Sequence, residues 1–267
     1  MAAAFETIAV ATTGAVCTIT LNRPDSLNSL NDQMTTDLAN AIKQLKRDDA
    51  VRCVVLTGAG RAFSSGQDLG DLKKKYSDPQ HVPHLADDLR RRYNPVATGL
   101  RELEKPVIAA VNGVAAGAGL SIALACDIRI ASDKASFIEV FVNVGLVPDS
   151  GSTYTLPRLV GLGKALELCF TGDKVSADEA LRIGMVNRVV PADKLVDATN
   201  ELANKLASLP TRAIGLTKRL LNRSLTSDLN AQLEAEAFAQ ETAGLSADHR
   251  EGVVAFFEKR QPKFTGK

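Results

Sequence analysis

The chain has 267 residues, with 32 Lys and Arg against 31 Asp and Glu, and 45% of its residues are hydrophobic. That length suits one large domain or two small ones, and the composition excludes disorder, collagen and coiled coil for the whole chain. A formal net charge of +1 provides no global field, so neither nucleic acid nor a membrane surface is expected as a partner.

The four cysteines lie far apart in apolar stretches and form no CxxC pair. Free, buried thiols in a reducing compartment are therefore expected, and the expected location is cytoplasmic. The N-terminus has no basic stretch followed by a long apolar run, so no signal peptide is predicted. Residues 107–126 carry no charge, but their Ala/Gly-rich composition and the Asn112-Gly113 turn signal favour a strand, a tight turn and a buried helix over a membrane span.

Strands and helices alternate in the predicted N-terminal half. Strands are predicted at residues 15–21, 51–56, 107–111 and 128–131. An amphipathic helix is predicted after Pro24, with Met34, Leu38 and Ile42 on one face. Repeated βα units of this kind indicate a layered α/β core. Residues 72–93 are polar, and a mobile surface insertion with a solvated helix is expected there.

The C-terminal third is predicted to be helical. Ser176 and Glu179 form a capping-box pattern for a short helix that ends at Gly184, and a strand is predicted at 185–190. From residue 194 onward the pattern is helical, with breaks near Pro210 and around residues 244–246. The predicted division is an α/β core over residues 1–193 and a helical region over residues 194–267.

Two common kinds of site are poorly supported. GxG patterns begin at Gly58, Gly117 and Gly161, but none continues into a dinucleotide fingerprint or a P-loop. The three histidines, His81, His84 and His249, have no metal-ligand spacing. Neither a nucleotide site nor a metal site is predicted.

Two turns that each follow a predicted buried strand can approach a ligand closely. They are residues 61–69, Arg-Ala-Phe-Ser-Ser-Gly-Gln-Asp-Leu, and residues 112–119, Asn-Gly-Val-Ala-Ala-Gly-Ala-Gly. Backbone N–H groups from both turns can converge on one carbonyl oxygen and form an oxyanion hole, which stabilises an enolate. Close helix packing on small residues explains the same pattern, and spacing alone favours that explanation.

Asp149 follows Pro148 in a turn of small residues beside an apolar run. A carboxylate in such a place can be a poised general base. It can also cap the following helix, and from the residues alone capping is the more common role.

Together these motifs resemble the crotonase superfamily, the enoyl-CoA hydratase/isomerase group. The matching segments are residues 21–28, 61–68, 112–119 with Cys126-Asp127, 145–149 and the tail 250–264. The resemblance implies a ββα spiral core and a helical C-terminal region that drives trimerisation, with two trimers usually pairing into a hexamer. Phe238, Phe256 and Phe257 are the apolar residues expected at such contacts. The resemblance implies no metal and no redox cofactor. Coenzyme A is present as part of the acyl-CoA thioester substrate.

The resemblance also implies roles for individual residues. It makes the backbone N–H groups of Gln67 and Ala118 the oxyanion-hole donors and Asp149 the catalytic acid or base. It places adenine near Ala62 and Ser64. Pantetheine is expected to pass Asp68 and Leu69, and the phosphates to pair with Arg23, Lys263 and Lys267. The full set of implied substrate contacts is Arg23, Ala62, Ser64, Gly66, Asp68, Leu69, Gly117, Phe141 and Lys263.

Departures from the family pattern favour one reaction. The two glutamates with which the family's hydratases activate water fall at Ser121 and Phe141, where neither side chain is an acid. Adding water needs one group to take a proton and another to deliver one, whereas a 1,3-proton shift needs a single carboxylate. Related isomerases place an acid where Asp149 falls, so an isomerase is predicted. Glu139, two residues before Phe141, is the alternative base.

Other functions stay open at this point. A hydratase of weak activity, or a non-catalytic acyl-CoA-binding subunit that stabilises another pathway enzyme, also fits the loss of both glutamates. Residues 148–151 and the tail 264–267 most resemble the isomerases of ring-1,2-epoxyphenylacetyl-CoA. An aliphatic enoyl-CoA uses the same chemistry and is the alternative substrate.

Overall fold

A computed structural model describes residues 5–70, 73, 77 and 84–267. Two β-sheets carry its core: a six-stranded sheet in the order β1-β2-β3-β5-β7-β10 and a four-stranded sheet in the order β4-β6-β8-β9. The strands are β1 Ile8–Thr13, β2 Val16–Leu21, β3 Cys53–Gly58, β4 Ala62–Ser64, β5 Val107–Val111, β6 Val114–Ala116, β7 Ile128–Ser132, β8 Ser136–Ile138, β9 Val175–Ser176 and β10 Arg188–Val190.

The larger sheet is parallel from β2 to β10, and only β1 pairs antiparallel. Strand β5 is buried along its whole length, as expected for a parallel sheet covered on both faces. The four strands predicted in the N-terminal half are confirmed as β2, β3, β5 and β7. The strand predicted at residues 185–190 is shorter, because the N–H groups of Met185 and Val186 still donate to Ala180 at the end of the preceding helix.

Eleven α-helices pack around these sheets in the described part of the chain. They are α1 Asp32–Leu45, α2 Leu85–Asp88, α3 Asn94–Glu102, α4 Ala118–Ala125, α5 Ser152–Val160, α6 Leu162–Thr171, α7 Ala177–Arg182, α8 Leu195–Ser208, α9 Thr211–Ser224, α10 Leu229–Gly244 and α11 Ala247–Phe257. The predicted apolar face of α1 is buried. The predicted cap of α7 is confirmed, since Ser176 Oγ accepts a hydrogen bond from the N–H of Glu179.

The uncharged stretch 107–126 forms β5 and the buried helix α4, as predicted, and a second short strand, β6, lies between them where only a turn was expected. No helix among the described residues is long and apolar enough to cross a membrane. The four cysteines are free thiols, and burial raises the pKa of Cys53 and of Cys126 to about 12.

The predicted surface insertion at 72–93 lies partly outside the described residues. His81 lies outside them altogether. Its described end forms α2 and a π-helical turn, Leu89–Tyr93. The expectation of a solvated helix is wrong for the last residues, because Arg92 and Tyr93 are buried. Tyr93 packs into the main core cluster, and Arg92 Nη1 pairs with Asp32 Oδ1 of α1 at 2.7 Å.

The C-terminal region is helical, with the predicted breaks near Pro210 and at residues 245–246, and with a further break at residues 225–228 that was not predicted. Helix α8 packs on the six-stranded sheet, where Leu195, Ala203 and Ala207 join a second apolar cluster with residues of β2, β3, β5 and β7. Helices α10 and α11 bury few side chains, and Phe256 is 79% exposed. The division between residues 193 and 194 stays a prediction.

Candidate active site

Three neighbouring strands of the smaller sheet bring the predicted site segments together. Strands β4, β6 and β8 are parallel, with Ala62 opposite Val114 and Val114 opposite Ser136. Gln67 follows β4 by three residues and Ala118 follows β6 by two. Because parallel strands end at the same sheet edge and lie about 4.8 Å apart, these residues are close neighbours. The sequence analysis predicted turns here but none of these three strands.

Gly66 shows how closely the two turns approach. Its φ is +90°, and a Cβ built on it would lie 2.7 Å from the carbonyl oxygen of Ala116 and 3.5 Å from the backbone nitrogen of Ala118. A side chain would therefore collide with the last residue of β6, just before α4. Glycine is required here for the turn after β4 to lie against the first residue of α4.

Two backbone N–H groups at this junction have no acceptor among the described residues. Ala118 is the first residue of α4, so its N–H has no partner within the helix. Around Gln67, the N–H of Leu30 donates to Gly66 and the N–H of Asp68 donates to Leu30, while no described residue accepts the N–H of Gln67. Two donors on adjacent turns can hold one carbonyl oxygen, and their catalytic role stays a prediction.

Asp149 lies in the loop between a 3-10 turn, Val140–Val144, and helix α5. Its side chain is partly buried, and burial raises the pKa of its carboxyl, although the hydroxyl of Ser150 donates to Oδ1 at 2.7 Å and opposes that rise. The capping alternative is wrong, because Gly151 is the N-cap of α5 and no side chain caps that helix. Ser150 has a φ of +53°, which is strained for a residue with a side chain.

Glu139 lies near Asp149 and is almost inaccessible. It is 2% exposed, its Oε1 accepts a 2.5 Å hydrogen bond from Ser152 Oγ, and its Oε2 is buried with no partner among the described residues. Burial, together with the nearby charge of Asp149, raises the pKa of Glu139 to about 7.

Ser121 and Phe141, where the resemblance implies the glutamates of hydratases, are both buried. Ser121 is fully buried on α4, and its hydroxyl donates to the carbonyl of Gly117 at 3.2 Å. Phe141 is 6% exposed, and its Cζ lies 3.8 Å from where a Cβ on Gly117 would be. No carboxylate stands at either place, and Asp149 and Glu139 stay the two predicted candidates for the base.

The residues predicted to contact coenzyme A differ in accessibility. Arg23 Nη1 forms a 2.7 Å ion pair with Asp68, which anchors the turn after β4. Leu69 is 69% exposed beside it. Ala62 and Ser64 are almost fully buried, backbone included, and an adenine contact there stays a prediction.

The tail lies away from these residues within one chain. Arg52, just before β3, donates to the carbonyl of Phe264, whereas residues 61–69 follow the other end of β3. Lys263 is exposed on that tail, and the carbonyl of Lys267 accepts from the N–H of Asp248. A phosphate contact by Lys263 or Lys267 stays a prediction.

Two residues beside the site were missed from the sequence. Tyr93 comes from the segment predicted as solvated, yet its hydroxyl lies 3.5 Å from the carbonyl of Leu30. Burial, with a contribution from Asp149, raises the pKa of Tyr93. Ser152, the partner of Glu139, was also missed. For Tyr93, the only hint in the sequence is an aromatic residue directly after three arginines.

Among the described residues, no His, Cys, Asp and Glu side chains cluster in a way that could hold a metal ion.

The family model described as enoyl-CoA hydratase/isomerase matches residues 11–267. The chain belongs to the enoyl-CoA hydratase/isomerase family. It is 48% identical over 252 residues to the 1,2-epoxyphenylacetyl-CoA isomerase of Escherichia coli K12, covering 94% of this chain and 95% of that protein. It is 40% identical to the short-chain-enoyl-CoA hydratase of Clostridium acetobutylicum, covering 93% of each.

Solved structures of this enoyl-CoA hydratase/isomerase family share the fold. The crystal structure of an enoyl-CoA hydratase from Bacillus anthracis superposes with a TM-score of 0.91 at 36% identity, covering 98% of this chain and 100% of that one. The resemblance to the crotonase superfamily and its α/β fold are thereby confirmed. The relatives carry both isomerase and hydratase names, so the family alone does not separate the two reactions.

Proposed function

We propose that the chain is an acyl-CoA isomerase with Asp149 as its single acid–base group. The observation that carries the proposal is the pairing of one partly accessible carboxyl with the acid-free positions Ser121 and Phe141. Glu139 is the poorer base, because it is almost fully buried and one of its oxygens is held by Ser152. A base has to reach the carbon from which it removes a proton.

In the proposed reaction the thioester oxygen accepts hydrogen bonds from the N–H groups of Gln67 and Ala118. This acidifies the α-carbon, and Asp149 removes a proton from it to give an enolate held by the two donors. Asp149 then returns the same proton to the γ-carbon while the double bond moves to the α,β position. One C–H bond breaks and another forms, so nothing is added and no redox cofactor is needed.

The environment of Asp149 suits this task. Burial raises the pKa of its carboxyl, which makes the ionised form a stronger base than an ordinary aspartate. The ring of Phe141 fills the position where a hydratase would hold water with a glutamate. An apolar wall there disfavours hydration and leaves the proton shift as the supported reaction.

For the substrate we propose a ring-1,2-epoxyphenylacetyl-CoA or enoyl-CoA thioester. The 48% identity to a 1,2-epoxyphenylacetyl-CoA isomerase supports the ring compound. Its seven-membered oxepin isomer carries a β,γ double bond next to the acidic α-carbon, so the same single-base shift applies to it. The aliphatic 3-enoyl-CoA differs only in what fills the acyl pocket.

We also propose that copies of the chain form a homotrimer or a dimer of trimers in the cytoplasm. Three exposed phenylalanines on α10 and α11 support an assembly: Phe238, Phe256 and Phe257. Large exposed aromatic residues on neighbouring helices are typical of protein contacts. The four free thiols suit a reducing compartment.

The deciding experiment compares wild type with Asp149→Asn on 3-enoyl-CoA, crotonyl-CoA and epoxyphenylacetyl-CoA, with products followed by mass spectrometry. We expect the Asp149→Asn variant to bind acyl-CoA normally and to lose about 10²–10⁴-fold in isomerisation, because an amide cannot accept the proton. Asp193→Asn, an exposed aspartate before α8, is the matched control and should keep full activity.

Three outcomes would overturn the proposal. Wild-type turnover by Asp149→Asn would remove Asp149 as the base. Hydration of crotonyl-CoA without isomerisation of 3-enoyl-CoA would favour the hydratase. Tight acyl-CoA binding with no turnover of any of the three would favour a non-catalytic binding subunit.

A further inference from the structure

Glu139 is a buried acid that the proposed reaction does not use. An ionised carboxylate has room for about four hydrogen bonds, yet Glu139 receives one, from Ser152, and its Oε2 has no partner among the described residues. Burying a charge with so little compensation is costly, whereas a neutral carboxyl tolerates it far better. The surroundings of Glu139 therefore favour its protonated form.

The groups around Glu139 link it to Asp149. Ser152 at the start of α5 donates its hydroxyl to Glu139 and its backbone N–H to the carbonyl of Asp149 at 2.9 Å. On α6, burial, with a contribution from the charge of Glu139, raises the pKa of Cys169 to about 11. Asp149 and Cys169 are thus the titratable neighbours, and among the described residues no basic side chain offsets the charge of Glu139.

We propose that Glu139 is a positioning residue for Asp149 and that its protonated form is the active one. The inference rests on the proposed function, since it assumes that Asp149 is the base. Neutral Glu139 holds Ser152, and Ser152 holds the strained turn that presents Asp149. Ionised Glu139 places a second negative charge behind the base and behind the developing enolate, which opposes the reaction.

A bell-shaped pH dependence of kcat follows. Asp149 has to be ionised, so the rate rises as pH passes through its raised pKa. Burial raises the pKa of Glu139 to about 7, and this acid is neutral below that pH and charged above it. The rate should therefore fall again as pH passes through neutrality.

The test measures kcat for 3-enoyl-CoA between about pH 5 and pH 9 in wild type, Glu139→Gln and Ser152→Ala. Glu139→Gln should stay within about threefold of wild type at pH 6 and show no alkaline decline, because glutamine keeps the hydrogen bond but cannot ionise. Ser152→Ala should be slower, with its alkaline limb at higher pH, since the lost hydrogen bond favoured ionised Glu139. Glu167→Gln, an exposed glutamate of α6, should keep both limbs.

Difference infrared spectroscopy gives a readout that needs no turnover. The carbonyl band of a protonated carboxyl should be present at pH 6, disappear by pH 9, and be absent in Glu139→Gln at both. A band that does not change with pH, or an alkaline limb that persists in Glu139→Gln, would overturn the proposal. If Glu139→Gln were inactive while Asp149→Asn stayed active, Glu139 would be the base, and both proposals would be overturned. If Asp149→Asn were inactive and Glu139→Gln kept the alkaline decline of kcat, only the proposal for Glu139 would be overturned.

Discussion

Replacing Gly66 with alanine tests whether the two turns have to meet. The new Cβ would lie 2.7 Å from the carbonyl oxygen of Ala116, closer than real contacts allow, at a φ of +90°. The strained backbone costs about 1–3 kcal/mol and the overpacking about 1–3 kcal/mol. The free energy of unfolding should therefore fall by about 2–6 kcal/mol. Relief of the clash moves Gln67 away from Ala118, and loss of one oxyanion donor lowers kcat by about 10²–10³-fold.

Gly14→Ala is the matched control. Gly14 lies in the turn between β1 and β2 with a φ of +59°, and no atom lies within 4 Å of where its Cβ would be. In urea unfolding, the free energy of unfolding of Gly14→Ala should fall only by the backbone strain of about 1–3 kcal/mol. Its kcat should equal that of wild type. A folded Gly66→Ala protein with kcat within about threefold of wild type would refute the reasoning about the oxyanion hole.

Two further predictions concern stability and assembly. Burial opposes ionisation of Asp37, but hydrogen bonds from Thr7, Gln33 and the N–H of Glu6 outweigh it and hold the pKa of Asp37 below its ordinary value. The stabilisation is therefore present above about pH 4 and lost as pH falls through the folded pKa, so Asp37→Asn should flatten the loss of unfolding free energy between about pH 5 and pH 3. An equally steep loss in the variant would contradict this. Light scattering of the full chain should give the mass of three or six copies, and a monomer would contradict the proposed assembly.

Long elements were predictable because their patterns repeat. Helix α1 has 14 residues, enough for an apolar face to appear several times, and β5 is an unbroken apolar run. Strands β4, β6 and β8 have three residues each, too few to show a period of two. The sheet that carries the candidate site was therefore invisible in the sequence, although the turns at its edge were recognised from their glycines.

Contacts between distant segments account for the other differences. Buried Arg92 pairs with Asp32, 60 residues earlier, and the arginine-rich run itself gives no sign of that pairing. Glu139 was recognised as an acid near the site, but its burial depends on Ser152 of α5, which only the folded chain brings to it. The residues indicated the chemistry available, and packing decided which acid a ligand can reach.

Both donors proposed to hold the enolate belong to the main chain, at the carboxyl edge of neighbouring strands β4 and β6. A point mutation that exchanges one side chain for another leaves them in place, unless it introduces proline or crowds a glycine such as Gly66. An acid at position 121, 141 or 149, in contrast, is a single side chain, and this chain carries one only at 149. A lineage with this fold can therefore gain or lose an acid in one mutational step while every intermediate still binds and polarises a thioester. This agrees with the names of relatives that are 40–48% identical to this chain, since some are called hydratases and one an isomerase.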